Sequence, residues 1–219
     1  MVDSEEYPLI SAILLAGRTP LADIKRCIDC FHSQTYPRKE LIIVNNAKNP
    51  IDIPDQDDIA IVEITSSIAT GTARNQGIAT ANGQILAQFD ADYWHAPSRL
   101  SAQVATMASE KTNICVLASV MQYSFISGGA RISRNKQNAV LNTMVWARPA
   151  KIEYPDVSNG EEFGLLQKML HSGMKPITID KPELCCKLIL TKFERQTKPH
   201  NYGLTEEQFE IILDILTVN

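Results

Sequence analysis

Two aspartates separated by one alanine carry the clearest chemical signal in the sequence. Asp90 and Asp92 follow the apolar segment 85–89, where a buried strand is predicted to give way to a loop. Two carboxylates at such an edge repel each other unless a cation neutralises them. Because hard oxygen ligands suit Mg²⁺ or Mn²⁺ bound to phosphate oxygens, the pair predicts a divalent metal site, with a solvated turn as the alternative. The neighbouring His95 is expected to be exposed.

A second acidic pair, Glu161 and Glu162, begins a helix predicted over 161–171. Ser158 and Glu161 have capping-box spacing, which would keep Glu161 at the helix start. At about 100° per residue, Glu162 falls within the apolar stripe of this helix. That stripe consists of Phe163, Leu166, Met169 and Leu170. A carboxylate facing an apolar wall has a raised pKa, so Glu162 is the candidate general base, with a surface glutamate at a helix N-terminus as the alternative.

Alternating strands and helices are predicted to position these acids. Strands are expected over 9–16, 40–45, 59–64, 85–89 and 115–121, and helices over 21–33, 71–81 and 97–109. This alternation predicts βαβ units in an α/β fold with a mainly parallel sheet. Ligands of such sheets bind beyond the carboxyl ends of the strands. The loops expected there follow Leu15, Val44, Ile64 and Phe89.

The second half of the chain is less regular. The expected elements are a loop or hairpin over 123–138, strands within 139–147 and 177–193, and helices over 161–171 and 205–216. No repeat or linker separates the two halves. We therefore predict a single domain over 1–219, with a boundary near Ser119 that divides two halves of one fold.

Composition and charge exclude several classes of protein. The 219 residues are 44% apolar and 21% charged, with a net charge of -4, so the chain has no basic surface for nucleic acid or a membrane. No apolar run reaches the ~18 residues of a membrane span, and the acidic start is unlike a secretory signal. The five scattered cysteines, including the helical pair Cys27 and Cys30, predict buried, reduced thiols and a cytoplasmic location.

Several short motifs follow one another in a recognisable order. They are Gln34-Thr35-Tyr36-Pro37, the strand 40–46, Gly71-Thr72-Ala73-Arg74-Asn75-Gln76-Gly77 and Asp90-Ala91-Asp92, with weaker likeness at 159–163. In this combination the chain resembles glycosyltransferase family 2, which has the GT-A fold, and the likeness is strongest over 8–108. The resemblance implies that 1–119 binds a nucleotide-diphospho-sugar donor and that 120–219 forms the acceptor side.

The resemblance also implies roles for single positions on the donor. The loop after the first strand, with Ala16 and Arg18, and the pair Asn45 and Asn46 would hold the nucleotide base. Arg74 would reach the base or a phosphate from the start of its helix. For Arg18 a solvated side chain is the alternative.

Metal binding and catalysis would fall to the acidic residues. The resemblance implies that Asp90, with Ala91, approaches the ribose or the metal, and that Asp92 coordinates Mn²⁺ or Mg²⁺ on the diphosphate. His200 would be a late metal ligand or else a surface histidine. Glu162, ahead of its neighbour in the acidic pair, would be the general base of an inverting transfer to a carbohydrate, lipid-linked or protein acceptor.

Departures from the family pattern keep two alternatives open. Asn45 and Asn46 stand where the family usually has two aspartates, although asparagine still offers a donor and an acceptor to a base. This change favours a non-catalytic GT-A-like binding domain as the first alternative. The second is a sugar nucleotidyltransferase, whose phosphate loop needs more glycines than the lone Gly17 of 12–18. Without a transmembrane segment, the chain would reach a membrane only by peripheral recruitment.

Overall fold

The elements of the fold are given by a computed structural model, which describes residues 7–17, 19–47, 49–149, 151–189 and 200–217. The strands are β1 Ile10–Leu15, β2 Lys39–Asn45, β3 Ile59–Glu63, β4 Ile85–Gln88, β5 Tyr93–His95, β6 Ile114–Leu117, β7 Ser119–Ser124, β8 Gly129–Arg134, β9 Val140–Ala147, β10 Pro176–Ile179, β11 Cys185–Ile189 and β12 His200–Asn201. The helices are α1 Leu21–His32, α2 Thr70–Thr80, α3 Arg99–Ser109, α4 Glu161–His171 and α5 Glu206–Thr217.

The larger of two sheets has seven strands in the order β10-β6-β9-β4-β1-β2-β3. All neighbours are parallel except β9, which runs antiparallel to both β4 and β6. Helices α1 and α3 pack on one face and α2 and α4 on the other, which explains why the central strands are apolar runs rather than alternating. The predicted α/β fold with a mainly parallel sheet is confirmed.

The smaller sheet has five strands in the order β12-β8-β7-β11-β5, and α5 packs against one of its faces. The prediction of one strand over 115–121 is wrong, because the chain passes there from β6 in the large sheet to β7 in the small one. The change falls at Ala118, whose N–H bonds to the carbonyl of Ile179 in β10, 2.9 Å away. The segment predicted as a loop or hairpin forms the antiparallel pair of β7 and β8.

Gln34, in the first motif, holds α1 to the segment that follows β5. Its side-chain amide donates to the carbonyls of Cys30 and Ala96 at 3.1 and 2.7 Å, and its oxygen accepts from the backbone N–H of Leu100 at 3.1 Å. These groups are buried, so losing the amide would leave them without partners. The motif therefore fixes the frame around the aspartate loop.

The second motif joins α2 to the segment that leads to α4. Asn75 exchanges two hydrogen bonds with the backbone of Tyr154, at 3.0 and 2.8 Å. A Cβ atom at Gly71 would lie 1.9 Å from the carbonyl oxygen of Pro155, so only glycine permits this approach. The packing brings Arg74, between these two residues, close to the start of α4.

Two expectations about the whole chain can be compared with the fold. All five cysteines are buried and free, as predicted for structural thiols. Within the described ranges, no helix is both long enough and apolar enough to cross a membrane.

Candidate active site

Three adjoining cavities form one groove along the carboxyl edge of the large sheet. The Asn46 cavity, of about 380 Å³, lies beside the loop after β1. It shares Leu15 and Thr19 with the Asp92 cavity of about 360 Å³, which also contains Asp90 and Arg74. Asn142 in turn lines both the Asp92 cavity and the Glu162 cavity, of about 590 Å³, which faces the small sheet. The groove lies where ligands of parallel sheets bind.

Arg74 is the cation that neutralises the acidic residues of the groove. It is 4% exposed, and its terminal nitrogens donate to the two carboxylate oxygens of Asp90 at 3.1 and 3.4 Å. Its guanidinium also lies 3.8 Å from the carboxylate of Glu161 and 3.7 Å from that of Glu162. Burial disfavours the charged form, but the carboxylates, led by Asp90, outweigh it and raise the pKa of Arg74 above its ordinary value.

The predicted apolar stripe of α4 is right for Met169, which is buried, and for Leu166, which packs partly buried against the core, but wrong for Phe163 and Leu170, which are exposed. The helix buries Glu161, Leu165 and Met169, which are spaced four residues apart, whereas Phe163 is 56% exposed. The helical periodicity placed Glu161 away from the packed face because the packed face was expected to be apolar throughout. Arg74 supplies a charged partner there, so a glutamate can be buried.

The predicted capping box at the start of α4 is also wrong. The helix is preceded by Gly160 at φ +74°, and the hydroxyl of Ser158 instead accepts a hydrogen bond from the backbone N–H of Thr70 at 3.3 Å. Burial raises the pKa of the Glu161 carboxyl, and the charge of Glu162 adds to the increase. Glu162 is less buried and lines its cavity.

Asn142, in β9, was not identified from the sequence, yet it joins the two acidic groups. Its side-chain nitrogen donates to Asp90 at 3.1 Å and to Glu162 at 3.2 Å. The local signal is an amide side chain in a mainly apolar strand, and such a residue does not reveal partners 52 and 20 positions away.

Among the carboxylates of the groove, Asp92 is the most exposed and has the weakest contact with a cation. Its side chain is 50% exposed and lies 4.0 Å from the ammonium nitrogen of Lys187. Burial, followed by the charge of Asp90, raises the pKa of Asp92 to about 6. In the described part of the chain, no three His, Cys, Asp or Glu side chains are grouped to hold a metal ion.

The two asparagines after β2 have different surroundings. Asn45 is fully buried, and its amide bonds the carbonyl of Asn49 and the carboxylate of Glu63, so the structure does not bring it into the groove. Asn46 lines the first cavity, and its side-chain oxygen is buried without a hydrogen-bond partner among the described residues. A Cβ atom at Gly17 would lie 3.2 Å from this oxygen.

The remaining predicted residues are placed as follows. Ala16 lines the Asn46 cavity and Ala91 the Asp92 cavity. Arg18 lies outside the described residues. The backbone of His200 pairs with Gly129 at the edge of the small sheet, and its side chain lies outside the description.

The expectation that His95 is exposed is wrong. Its ring is fully buried, accepts a hydrogen bond from Arg99 at 2.7 Å and donates one to the backbone carbonyl of Asp90 at 3.1 Å. Burial, followed by the positive charge of Arg99, lowers the pKa of His95 well below 6.5, so the ring is neutral. The histidine thus supports the aspartate loop from behind.

The two sheets and the acidic groove at the carboxyl edge define the GT-A class of fold. The family model described as Glycosyl transferase family 2 matches residues 18–162, more than half of the chain. The chain therefore belongs to glycosyltransferase family 2, which confirms the resemblance of its motifs.

Solved structures support the same fold. The mannosyltransferase PcManGT from Pyrobaculum calidifontis, in complex with GDP-Man and Mn²⁺, superposes with a TM-score of 0.62 at 15% identity, over 88% of this chain and 60% of that one. Residues 1–349 of TarS from S. aureus, in complex with UDP-GlcNAc, superpose with a TM-score of 0.62 at 12% identity, over 95% and 65% of the two chains. This chain thus spans less than two thirds of either structure. A comparison with curated protein sequences found no match.

Proposed function

We propose that this protein transfers a sugar from a nucleotide-diphospho-sugar to an acceptor hydroxyl. The nucleotide base occupies the Asn46 cavity, the diphosphate the Asp92 cavity and the acceptor the Glu162 cavity. The observation that carries the proposal is the order of the three cavities, which adjoin one another with Asn142 between the last two. A donor lying along the groove would present its sugar close to Glu162.

Base binding is assigned to the loops after β1 and β2. The buried oxygen of Asn46 lacks a partner among the described residues, so it is ready to accept an N–H from a base edge. Gly17, at φ +47°, has no Cβ atom that would crowd this oxygen at 3.2 Å. Asn45 supports the loop from below, through its bonds to Asn49 and Glu63.

The acidic residues fit a Mn²⁺ or Mg²⁺ ion bound together with the donor. Asp92 offers a hard, half-exposed carboxylate, whereas Asp90 already accepts bonds from Arg74 and Asn142. Asp92 would therefore be the main protein ligand, with Asp90 behind it. When bound, such an ion neutralises the leaving diphosphate as a Lewis acid. Lys187, 4.0 Å from Asp92, would also face the diphosphate.

Glu162 is the proposed general base. It lies in the cavity on the acceptor side, and its carboxylate is 3.7 Å from the guanidinium of Arg74. Asn142 holds the same carboxylate oxygen at 3.2 Å, which fixes its direction. An acceptor hydroxyl that gives its proton to Glu162 attacks the anomeric carbon from the side opposite the diphosphate, so the transfer inverts configuration. Glu161, buried against Arg74, supports the cluster instead.

The donor site is tested by calorimetric titration of UDP, GDP, CDP and dTDP, each with and without Mn²⁺. We expect one nucleotide to bind wild type in a Mn²⁺-dependent manner and Asp92→Asn to weaken that binding by about 10-fold or more, since one charged ligand is worth several kcal/mol at a metal. Asp57→Asn, an exposed aspartate outside the groove, is the matched control. Failure of all four nucleotides to bind at millimolar concentration would favour the non-catalytic binding domain.

The assignment of the base is tested with the nucleotide so identified. Glu162→Gln keeps the shape of the side chain but cannot accept the proton, so we expect donor turnover to fall by about 10²–10⁴-fold with little change in KM for the donor. Glu161→Gln is the comparison variant, and its donor turnover should fall much less. Equal losses in the two variants would contradict the choice of Glu162.

A further inference from the structure

The Glu162 cavity differs in charge from the protein as a whole. The chain carries a net charge of -4. The described residues that line this cavity nevertheless include the cations Arg131, Arg134 and Lys187, and Glu162 is the only acidic residue among them. A cavity lined mainly by one sign of charge attracts ligands of the other sign. The feature to explain is thus a positive acceptor side in an acidic protein.

The small sheet arranges part of this charge in a single row. Tyr93, Lys187, Gln122 and Arg131 stand opposite one another in the neighbouring strands β5, β11, β7 and β8. Residues in register across a sheet point to the same face. All four line the Glu162 cavity, while the opposite face of these strands is buried under α5. The row thus runs across the floor of the cavity, away from Asp92.

The three cations differ in what already binds them. Arg134 pairs with the carboxylate of Asp180 at 2.8 Å. Lys187 lies 4.0 Å from Asp92 and packs over the Tyr93 ring, on the donor side. Arg131 is exposed, and its side chain makes no hydrogen bond or ion pair with the described part of the chain. The guanidinium of Arg131 is therefore available to a ligand, and it lies at the end of the row opposite Tyr93.

We propose that the acceptor carries an anionic group, a phosphate or a carboxylate, that binds to Arg131. This inference rests on the proposed transfer and names the acceptor class for the same groove. The planar guanidinium offers paired N–H donors that match either anion, and Gln122 beside it adds an uncharged donor. β8 and β11 are two strand spacings apart, about 10 Å, which leaves room for a sugar unit between Arg131 and Lys187. A hydroxyl of that unit then faces Glu162.

The test measures acceptor binding directly, without donor. Methyl glucoside, glucose 6-phosphate, glucuronic acid and inorganic phosphate are titrated into the full chain and followed by saturation-transfer NMR. We expect at least one of the two charged sugars to bind more tightly than methyl glucoside, and Arg131→Gln to weaken it by about 10-fold, as for loss of a charge-assisted hydrogen bond. The two charged sugars separate phosphate from carboxylate. Arg38→Gln, an exposed arginine near the amino-terminal end of β2, is the matched control.

Several outcomes would overturn the inference. They are equal binding of methyl glucoside and the charged sugars, binding of none of them, inorganic phosphate binding as tightly as the charged sugars, and equal losses in Arg131→Gln and Arg38→Gln. Arg131→Lys keeps the charge but not the planar fork, so partial rescue supports a bound anion. Failure of the donor proposal is seen separately, because it would appear as no nucleotide binding to the wild-type chain.

Discussion

Two buried arginines, Arg74 and Arg99, have opposite surroundings. Arg74 binds the carboxylate of Asp90 and lies near two glutamates. Arg99 is fully buried and donates to the carbonyls of Gln88 and Thr143, and to His95 and Gln103. No acidic side chain in the described ranges lies within ion-pair distance of it. The pKa of Arg74 is raised, chiefly by Asp90 against the effect of burial, and burial lowers that of Arg99.

Arg74 belongs to a charged cluster that could take part in chemistry, whereas Arg99 belongs to a neutral hydrogen-bond network that stabilises the fold. The partners of Arg74 can gain or lose protons, and they line an open groove. The partners of Arg99 are neutral and sealed in the core, and through His95 they reach only the backbone carbonyl of Asp90. Substitution of the two arginines should therefore have different consequences.

Arg99→Met should have the largest effect on stability. It leaves buried acceptors of Gln88, His95, Gln103 and Thr143 with fewer donors, and we expect the free energy of unfolding to fall by about 3–5 kcal/mol. Urea denaturation at 25 °C measures the change. Arg38→Met, on the surface, should stay within about 0.5 kcal/mol of wild type. A loss below about 1 kcal/mol would mean that the cost of burying the cation cancels its hydrogen bonds.

Arg74→Met should cost about 2–3 kcal/mol at pH 7, and the loss should depend on pH. Burial already raises the pKa of the Glu161 carboxyl, and loss of the nearby positive charge should raise it further. A carboxyl with a raised pKa destabilises the fold when ionised, so the deficit should shrink as pH falls from 7 to 5. Urea denaturation across this range checks the trend. An equal deficit at both pH values would show that Arg74 does not act through the carboxylates.

The neutral His95 should make the wild-type protein sensitive to mild acid. Its folded-state pKa lies well below 6.5, so below pH 6.5 the unfolded chain binds a proton that the folded chain excludes. Stability from this group is complete above that pH and is lost as pH falls, with a slope of at most about 1.4 kcal/mol per pH unit. Unfolding of His95→Gln should show a flatter slope between pH 7 and 5.5. Equal pH slopes for the wild type and His95→Gln would show that His95 is not the source of the acid sensitivity.

Asn142→Leu should have the smallest effect, about 1 kcal/mol, because Arg74 still partners both carboxylates. The interaction between Asn142 and Glu162 is isolated by a double-mutant cycle with Glu162→Gln, using urea denaturation. We expect a coupling free energy of about 0.5–1 kcal/mol. Strict additivity would indicate that the 3.2 Å contact between Asn142 and Glu162 contributes nothing to stability.

The parts of the fold that the sequence predicted are those with a strong local pattern. Apolar runs identified β1, β2 and β4, and helical spacing identified α1 and α3. The three-residue strand β5 is too short to show an alternation of apolar and polar residues. The change from β6 to β7 at Ala118 was missed because neither a glycine nor a proline breaks the apolar run.

Within the candidate site, the motifs pointed to residues that lie close together in the structure, but not to the side chains that bind them. The order of the motifs brought Arg74, Asp90 and Asp92 to attention, and the structure places all three in one cavity. Asn142 and Arg99 act through contacts across the sheet, which no spacing along the chain encodes. The orientation of Glu161 depends on a cation from another helix, so a helical wheel cannot give it.

The antiparallel strand β9 has a consequence for the order in which the chain can fold. It fills the gap between β4 and β6 in the large sheet, yet it is made only after the whole β7–β8 hairpin. During synthesis, β4 and β6 therefore wait with unpaired backbone edges until residue 147 has left the ribosome. A fragment that stops at residue 119 would keep both edges open, and open edges promote aggregation. The large sheet thus becomes continuous only when a strand from the second half of the chain is added.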